Sequence, residues 1–438
     1  MLRHLLLCVL VVCAGSAWSQ TNITASSGQT APTSAALTLA DAIRLAKANL
    51  PAFRAAVTEA GLARENRVQA RAALLPNVSY QTGGIYTEPN GTDTGVFIAA
   101  NGVREYISQG VVHEGIGFST IADYRLARFL EAAARANQEV AVRGLVATVT
   151  RAFYTEVVAG RKTQNAAAAA DEAKRFLDLS QKLERGGEVA HADVIKAQIQ
   201  ANDRERELQE ARLAEEKARL DLAVLVFAKY TPEYQLVDDL QQTPALPEFA
   251  HAQDLATHNN PELKAAAATM SAAHQEVASA LGGHLPSLSV DYFYGIDALH
   301  YATQSGAINN LGYQVSASLN LPIFNWGATQ SKVKQAQLRR DLAQVELNAA
   351  QRQALANLRE FYSEAQTALS QLDILKQTAD LATESLHLTT LRYQGGEATA
   401  LEVVDAQNTL VQARNSYEDG MVRYRVALAT LQTLTGTF

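Results

Sequence analysis

Three carboxylates stand at spacings that could attract ions. Glu402 and Asp405 are three residues apart, so on a helix they share one face. Asp193 occupies the position equivalent to Glu402 in an earlier, similar segment. Carboxylates gathered at a constriction favour cations, repel anions and respond to pH and divalent ions. The alternative is that they are ordinary solvated acids near the start of a helix. Glu402 and Asp405 lie six and nine residues past Gly396, so we expect them beyond the first helical turn, where the helix dipole has little influence.

The acids follow a glycine-broken segment that occurs twice. RGGEVAHADVIKAQ begins at Arg185, and RYQGGEATALEVVDAQ begins at Arg392, with Tyr393 just before its glycines. The pairs Gly186, Gly187 and Gly395, Gly396 interrupt long helical patterns. Paired glycines permit the positive φ of a helix end and a tight reversal into the next helix. A reversal at the end of a long coiled coil must lie at the tip of the bundle.

The repeated turn is one part of a tandem duplication. Further anchors recur in the same order with offsets of 208 to 210 residues: NLPAFRAA and NNPELKAA, LLPNVSY and HLPSLSV, and RAFYTE and REFYSE. Anchors in one order at nearly one spacing indicate that the chain contains the same unit twice.

The first residues have the pattern of a secretory signal peptide. An apolar core spans Leu5–Val12 and small residues follow, which predicts cleavage near Ser19 and a signal peptide over 1–19. Lipid attachment at Cys13 is the alternative, but the preceding Val12 is not the small residue that this pattern needs. Cys8 and Cys13 both lie in this segment, so we expect a mature chain without disulfides.

Composition excludes several classes of function. Removal of Arg3 with the signal peptide would leave 37 basic and 45 acidic residues, without the basic patch that nucleic acid needs. The histidines lack metal-ligand spacing, and no phosphate loop or nucleophile motif is present. We therefore expect no enzyme activity, no catalytic residue, no cofactor and no bound metal. After residue 20, no apolar run approaches the roughly 18 residues of a membrane helix, so a membrane span would have to use strands.

Each half also contains a segment that alternates with period two. Leu288, Val290, Tyr292 and Tyr294 alternate with residues that are mostly small or polar, which predicts a β-hairpin over 287–321. A first hairpin is expected over 77–118, although Tyr106 to Phe118 alternates poorly. The length and the polar opposite face fit strands of a membrane barrel with a wet lumen. A soluble hairpin with one buried face is the alternative.

Helical patterns surround these hairpins. A helix is predicted before each hairpin, over Leu39–Leu74 and Ala252–Leu281, and long helices follow. An apolar seam of three–four spacing indicates a coiled coil: Leu355, Leu358, Tyr362, Ala365, Leu369 and Leu372. The predicted organisation is an N-terminal linker over 20–36, a first repeat over 37–228, a connector over 229–250 and a second repeat over 251–438.

Four strands per chain imply assembly if they lie in a membrane. Every backbone polar group must be paired in lipid, so an open four-stranded sheet cannot span. Two copies would give an eight-stranded barrel filled by its own side chains. Three copies would give twelve strands and room for a conduit, so a homotrimer is expected, with the helices continuing the tube on one side of the bilayer.

The chain resembles the outer membrane efflux protein family, the TolC-like trimeric channels of Gram-negative bacteria. The resemblance lies in the duplicated proline-containing helix start, NLPAFRAA and NNPELKAA, and in these segments: GHLPSLSV, LNLPIFNWG, REFYSE, KYTPEY and RYQGGEATALEVVDAQNTL. It covers the chain from about Leu37 onward. It implies a mainly α fold in which long antiparallel coiled-coil helices form a periplasmic α-barrel. The two β-hairpins would contribute four strands to a trimeric twelve-stranded transmembrane β-barrel.

The resemblance also implies roles for the residues named above. Asp193, Tyr393, Glu402 and Asp405 would line or brace a closable periplasmic aperture, and Glu402 and Asp405 would become carboxylate rings in the trimer. The turns at Gly186, Gly187, Gly395 and Gly396 would be tips that contact a periplasmic adaptor. An inner-membrane transporter would complete the system. One departure is Ala398, which stands where some family members have an arginine that bridges neighbouring helices.

Two functional hypotheses follow. The first is a passive outer-membrane exit duct for efflux or type I secretion, opened by an adaptor and a pump. The second is a soluble periplasmic coiled-coil scaffold or adaptor whose hairpins pack on its own helices. The weak alternation of Tyr106 to Phe118 favours the second, whereas the duplication and the regular second hairpin favour the first.

Overall fold

The computed structural model describes residues 36–86, 104–228, 234–306 and 308–437. The predicted signal peptide, both cysteines, nearly all of the predicted linker and residues 229–233 of the connector lie outside these ranges. Within them, no helix combines the length and the apolarity needed to cross a bilayer.

The first half runs from a short strand through helices that flank a hairpin. Its elements are β1 (Ala36–Leu37), α1 (Leu39–Asn49), α2 (Pro51–Ala72), β2 (Asn77–Tyr86), β3 (Arg104–Ile116), α3 (Phe118–Arg185) and α4 (His191–Val226).

The second half repeats this order after the connector. Its elements are β4 (Gln235–Leu236), α5 (Phe249–Asn259), α6 (Pro261–Gly282), β5 (Ser287–Ala298), β6 (Gln304–Ser305), β7 (Ile308–Asn309), β8 (Leu311–Asn320), α7 (Ala328–Gln394) and α8 (Ala400–Thr435).

The prediction of one continuous helix before each hairpin is wrong. α1 ends at Asn49 and α2 starts at Pro51, because proline lacks an amide hydrogen and keeps the preceding residue out of the helical region. Leu50 accordingly adopts an extended conformation, with φ −73° and ψ 121°. The second half breaks in the same way at Pro261, where the Asn260 side chain accepts hydrogen bonds from two backbone amides of α6.

The two hairpins form one antiparallel sheet in the order β2-β3-β5-β8. The irregular segment of the first half is therefore a strand, β3, and its pairing with β5 joins the two halves. Gly295 of β5 lies opposite Gln109 of β3, where a Cβ atom would stand 2.2 Å from the Ser108 carbonyl oxygen. Glycine at 295 thus permits the strands to meet.

The strand register sorts side chains onto two chemically different faces. One face is largely apolar and includes Val78, Tyr80, Val112, Leu288, Tyr292, Tyr294, Tyr313, Val315 and Leu319, with Thr82, Ser108 and Glu114 among its polar exceptions. The other is largely polar and includes Ser79, Gln81, Gln109, His113, Ser289, Asp291, Gln314, Ser316 and Ser318. On the polar face, His113 Nδ1 lies 2.5 Å from Asp291 Oδ1 of the neighbouring strand.

The helices extend the sheet without changing its order. The helices that adjoin β2, β3, β5 and β8 are α2, α3, α6 and α7. α3 packs against α2 and α6, and α6 packs against α7, so these helices lie side by side in the same order as the strands. α4 then returns along α3, and α8 along α7. On α7 the apolar seam is buried at Leu358 and Ala365, whereas Leu355 of the predicted seam is exposed.

The largest apolar core lies part-way along the helices. Val149 and Phe153 of α3 and Leu222 of α4 are fully buried there. Ion pairs hold the connector against this core. Arg161 of α3 binds Asp238 of the connector at 2.6 Å and Glu418 of α8 at 2.9 Å.

Candidate functional site

The two glycine turns have the same hydrogen-bond pattern. After α3, the Gly187 amide donates to the Glu184 carbonyl and the Glu188 amide to the Leu183 carbonyl. After α7, the Gly396 amide donates to Tyr393 and the Glu397 amide to Arg392 in the same arrangement. This is a Schellman motif, which satisfies the last carbonyls of a helix.

Only the second glycine of each pair has the left-handed conformation. Gly187 has φ 78° and Gly396 has φ 75°, whereas Gly186 and Gly395 have helical φ values of −75° and −83°. The conformational freedom of glycine is therefore required at Gly187 and Gly396.

The prediction that Glu402 lies beyond the first turn of its helix is wrong. α8 starts at Ala400, because Gly396 to Thr399 form the turn, and Glu402 is in the first turn. The Thr399 side chain accepts a hydrogen bond from the Glu402 amide, and the Glu402 carboxylate accepts one from the Thr399 amide. This reciprocal capping box lowers the pKa of Glu402, chiefly through the Thr399 backbone hydrogen bond.

Tyr393 is buried between α7 and α3. Its side chain is 2 % exposed, its hydroxyl donates to the Ser180 hydroxyl over 3.1 Å, and its ring centroid lies 5.1 Å from that of Phe176. Burial raises the pKa of Tyr393, the Ser180 hydrogen bond opposes this, and the negative charge of Asp193 raises it further. The structure thus brings Tyr393 and Asp193 within electrostatic reach.

Asp193 lies in the first turn of α4 and is partly exposed. Its carboxylate is 3.4 Å from the Lys196 ammonium. Just before it, His191 Nδ1 lies 2.7 Å from Glu184 Oε1, which links the two ends of the first turn. The first tip is therefore stabilised by one local ion pair, Asp193–Lys196, and by the contact between His191 and Glu184.

The second tip has a different arrangement. Arg392 Nη1 lies 3.5 Å from Glu402 Oε2, and both side chains are about half exposed. Asp405 is exposed on the same helix as Glu402, and its carboxylate has no partner among the described residues. Ala398 packs against the apolar cluster that contains Tyr393 and Val403. The cation beside Glu402 is consequently Arg392, on the opposite side of the turn.

Sequence reasoning missed three residues of this site. Thr399 and Glu402 fit the Thr-x-x-Glu pattern of a capping box, so this pair was recognisable. Ser180 and Arg392 had no such signal, because their partners lie across the bundle or across the turn. Among the described residues, no group of three or more His, Asp or Glu side chains is placed to hold a metal ion.

Comparison with known proteins finds similarity to outer membrane efflux proteins. The family model for outer membrane efflux proteins matches residues 252–437. The chain is 26 % identical over 418 residues to the alkaline protease secretion protein AprF of Pseudomonas aeruginosa, which covers 92 % of this chain and 85 % of AprF. It is 25 % identical over 413 residues to the outer membrane protein TolC of Escherichia coli, covering 90 % and 80 % of the two chains.

The fold agrees with a solved relative. The crystal structure of the outer membrane protein VceC from Vibrio cholerae superposes with a TM-score of 0.78 at 20 % identity, covering 91 % of this chain and 96 % of that one. The family resemblance seen in the sequence motifs is confirmed by these matches. The chain is similar to outer membrane efflux proteins, by the family model over residues 252–437 and by these relatives over about nine tenths of its length.

Proposed function

We propose that the protein is a passive exit duct of the outer membrane, serving a tripartite efflux or type I secretion system. Three copies form a twelve-stranded transmembrane barrel that continues as a periplasmic helical tube. The glycine turns lie at the periplasmic end of the tube, where an adaptor docks and the aperture opens. The tandem organisation, with repeats over 37–228 and 251–438 and a connector over 229–250, is part of this proposal.

The observation that supports the duct most directly is the unfinished sheet. β2 and β8 are its edges, and neither has a second strand partner among the described residues. Their exposed side chains include Val78, Tyr80, Tyr313, Val315 and Leu319. An open sheet with an exposed apolar face and two free edges is unstable in water and in lipid alike.

Assembly with identical chains would close the sheet into a barrel and give both edge strands, β2 and β8, a hydrogen-bonding partner. The four strands are antiparallel in order, so β2 and β8 run in opposite directions. β8 of one copy can therefore pair antiparallel with β2 of the next, as membrane barrels require. The apolar face then meets lipid and the polar face lines a wet lumen.

The passage from β8 to α7 marks one boundary of the membrane. Ile323, Phe324 and Trp326 follow β8 directly and are 89 %, 72 % and 91 % exposed. Aromatic side chains are enriched where a barrel meets the headgroup region of a bilayer. In this arrangement α7 begins just outside the membrane.

The tip residues support a gate in the assembled protein. Threefold symmetry would bring the copies of Glu402 and Asp405 around one axis, and such a carboxylate ring favours cations. Tyr393 and Asp193 brace the tip from within the chain. AprF is named for alkaline protease secretion, which supports proteins as one class of cargo.

Membrane fractionation and electrophoresis test the duct. The protein should fractionate with the outer membrane and migrate as an SDS-resistant trimer that dissociates on heating. A soluble monomer released by carbonate would contradict the duct and favour a periplasmic scaffold.

A further inference from the structure

A polar cavity lies between α3, α7 and α8, about three helical turns from the glycine tips. Its volume is about 320 Å³. Since a liquid water molecule occupies about 30 Å³, the cavity has room for an organic molecule of several carbon atoms. Its walls combine polar side chains with the apolar residues Leu386, Leu410 and Val411.

Gln407 is the central observation. It lines the cavity, is 4 % exposed, and neither its Oε1 nor its Nε2 atom has a hydrogen-bond partner among the described residues. Asn165 lines the same cavity, and its buried Nδ2 atom also lacks a partner there. Burial of a polar atom without a partner is unfavourable, so these amides are available to hydrogen-bond a polar ligand in the cavity.

The tandem repeat gives an internal comparison. Gln198 is the residue of the first half equivalent to Gln407. It is exposed and donates from Nε2 to Asn202 Oδ1 at 3.1 Å. The unsatisfied amide at 407 is therefore a property of this cavity and not of the repeated sequence.

The charges around the cavity favour an anion. Glu172 and Arg175 line it, but they bind each other at 2.5 Å and neutralise one another. Arg414 also lines the cavity and has no ion pair or hydrogen bond among the described residues. His387, the remaining titratable group of the lining, adds no negative charge. A guanidinium without an ion pair, in the same lining as two amide donors, matches a carboxylate.

We propose that this cavity binds a small organic carboxylate with a short aliphatic tail. Arg414 and the Asn165 and Gln407 amides receive the carboxylate, and the tail lies against Leu386 and Val411. Gln407 follows Asp405 by two residues on α8, but neither Glu402 nor Asp405 lines the cavity, and binding there does not require that the protein conducts.

Calorimetry on the detergent-solubilised full chain tests the proposal with sodium butyrate as the probe. Saturable binding of butyrate is expected, with binding of butylammonium absent or far weaker. Arg414→Gln should weaken butyrate binding by at least about tenfold, since a charge-assisted hydrogen bond is lost. Arg125→Gln, an exposed arginine of α3 far from the cavity, is the matched control and should bind as the unmodified protein does.

Gln407→Leu supplies a second readout that does not depend on butyrate affinity. It removes both unsatisfied atoms, so the midpoint of thermal unfolding should rise without butyrate, and butyrate should raise it less than in the unmodified protein. Non-saturable heats, equal binding of butylammonium, or unchanged binding by Arg414→Gln would each overturn the proposal. Trimer formation, followed separately by electrophoresis, shows whether the duct proposal fails or stands.

Discussion

The Tyr393 hydroxyl donates a hydrogen bond to the Ser180 hydroxyl over 3.1 Å, and thereby links the last turn of α7 to α3 in a buried position. Ser180 in turn donates to the Phe176 carbonyl at 2.9 Å, so both of its hydrogen-bonding roles are used. This contact joins the two repeats at the tip that we propose to open.

Tyr393→Phe should loosen the tip. Loss of the hydroxyl removes one buried hydrogen bond, with a net cost of about 1 kcal/mol to the free energy of unfolding. Hydrogen exchange of the amides of the second turn should accelerate about fivefold as a result. Ser180→Ala should give a similar effect, and the double variant little more, because both changes remove the same bond.

Tyr417→Phe is the matched control for that series. Tyr417 packs against the main apolar core, and its hydroxyl has no hydrogen-bond partner among the described residues. Equal acceleration of tip exchange by Tyr417→Phe would show that the Tyr393–Ser180 bond does not hold the tip.

Capping and charge can be separated at the start of α8. Thr399→Ala removes the N-cap and should destabilise the protein by about 1 kcal/mol without changing ion selectivity. Glu402→Gln keeps an oxygen that accepts from the Thr399 amide but removes the charge, so selectivity should change, and stability should fall less than in Thr399→Ala. Thermal unfolding and bilayer recordings measure the two effects.

Asp405→Asn extends that test, since Asp405 has no partner to lose. The double variant Glu402→Gln, Asp405→Asn should reduce cation preference and divalent block in bilayer recordings. Unchanged selectivity would remove the carboxylate ring from the proposal and leave Glu402 with a capping role alone.

The capping box also predicts a pH dependence. The pKa of Glu402 is lowered from its ordinary value of 4.5. A depressed pKa stabilises the folded state above the unfolded-state value, and this stabilisation is lost as pH falls through the folded-state value. Below pH 4.5, the protection of the tip amides against hydrogen exchange, relative to an unstructured chain at the same pH, should fall in the unmodified protein. It should fall less in Glu402→Gln. An identical acid response in both would contradict this assignment.

Gly295→Ala should impair the sheet. A Cβ at Gly295 would stand 2.4 Å from the Gln109 Cα, and the obstructing atoms belong to the backbone of β3. The hairpins of the two halves would separate, so SDS-resistant trimer should be largely lost. Gly312→Ala is the matched control, because Gly312 pairs with Gly295 and has no atom within 4 Å of an added Cβ. Equal trimer yield from both variants would contradict the close approach.

Trp326 offers a direct measure of membrane position. The chain contains two tryptophans, and the other, Trp18, lies in the predicted signal peptide. Tryptophan fluorescence of the processed protein should therefore come from Trp326 alone. Lipids brominated near the headgroup should quench this fluorescence more than lipids brominated at the end of the acyl chain. Quenching by aqueous iodide alone would place this residue outside the membrane interface.

The duplication, the strand faces and the turn glycines were readable from sequence, because they depend on spacing and backbone preferences along one stretch of chain. Val315 lies between the polar residues Gln314 and Ser316, and Gly187 and Gly396 need a conformation that glycine adopts at least cost. The break at Pro51 was predictable by the same local physics and was overlooked.

Only the tertiary structure determines the contacts between residues that are far apart in the sequence. Sequence spacing did not reveal that Tyr393 meets Ser180, that Arg392 approaches Glu402 across a turn, or that β3 joins β5. Nor could it show that Gln407 is buried without a partner while its counterpart Gln198 is exposed and satisfied. Local patterns specify helices, strands and turns, but burial and pairing depend on which elements pack together, and only the folded chain determines that.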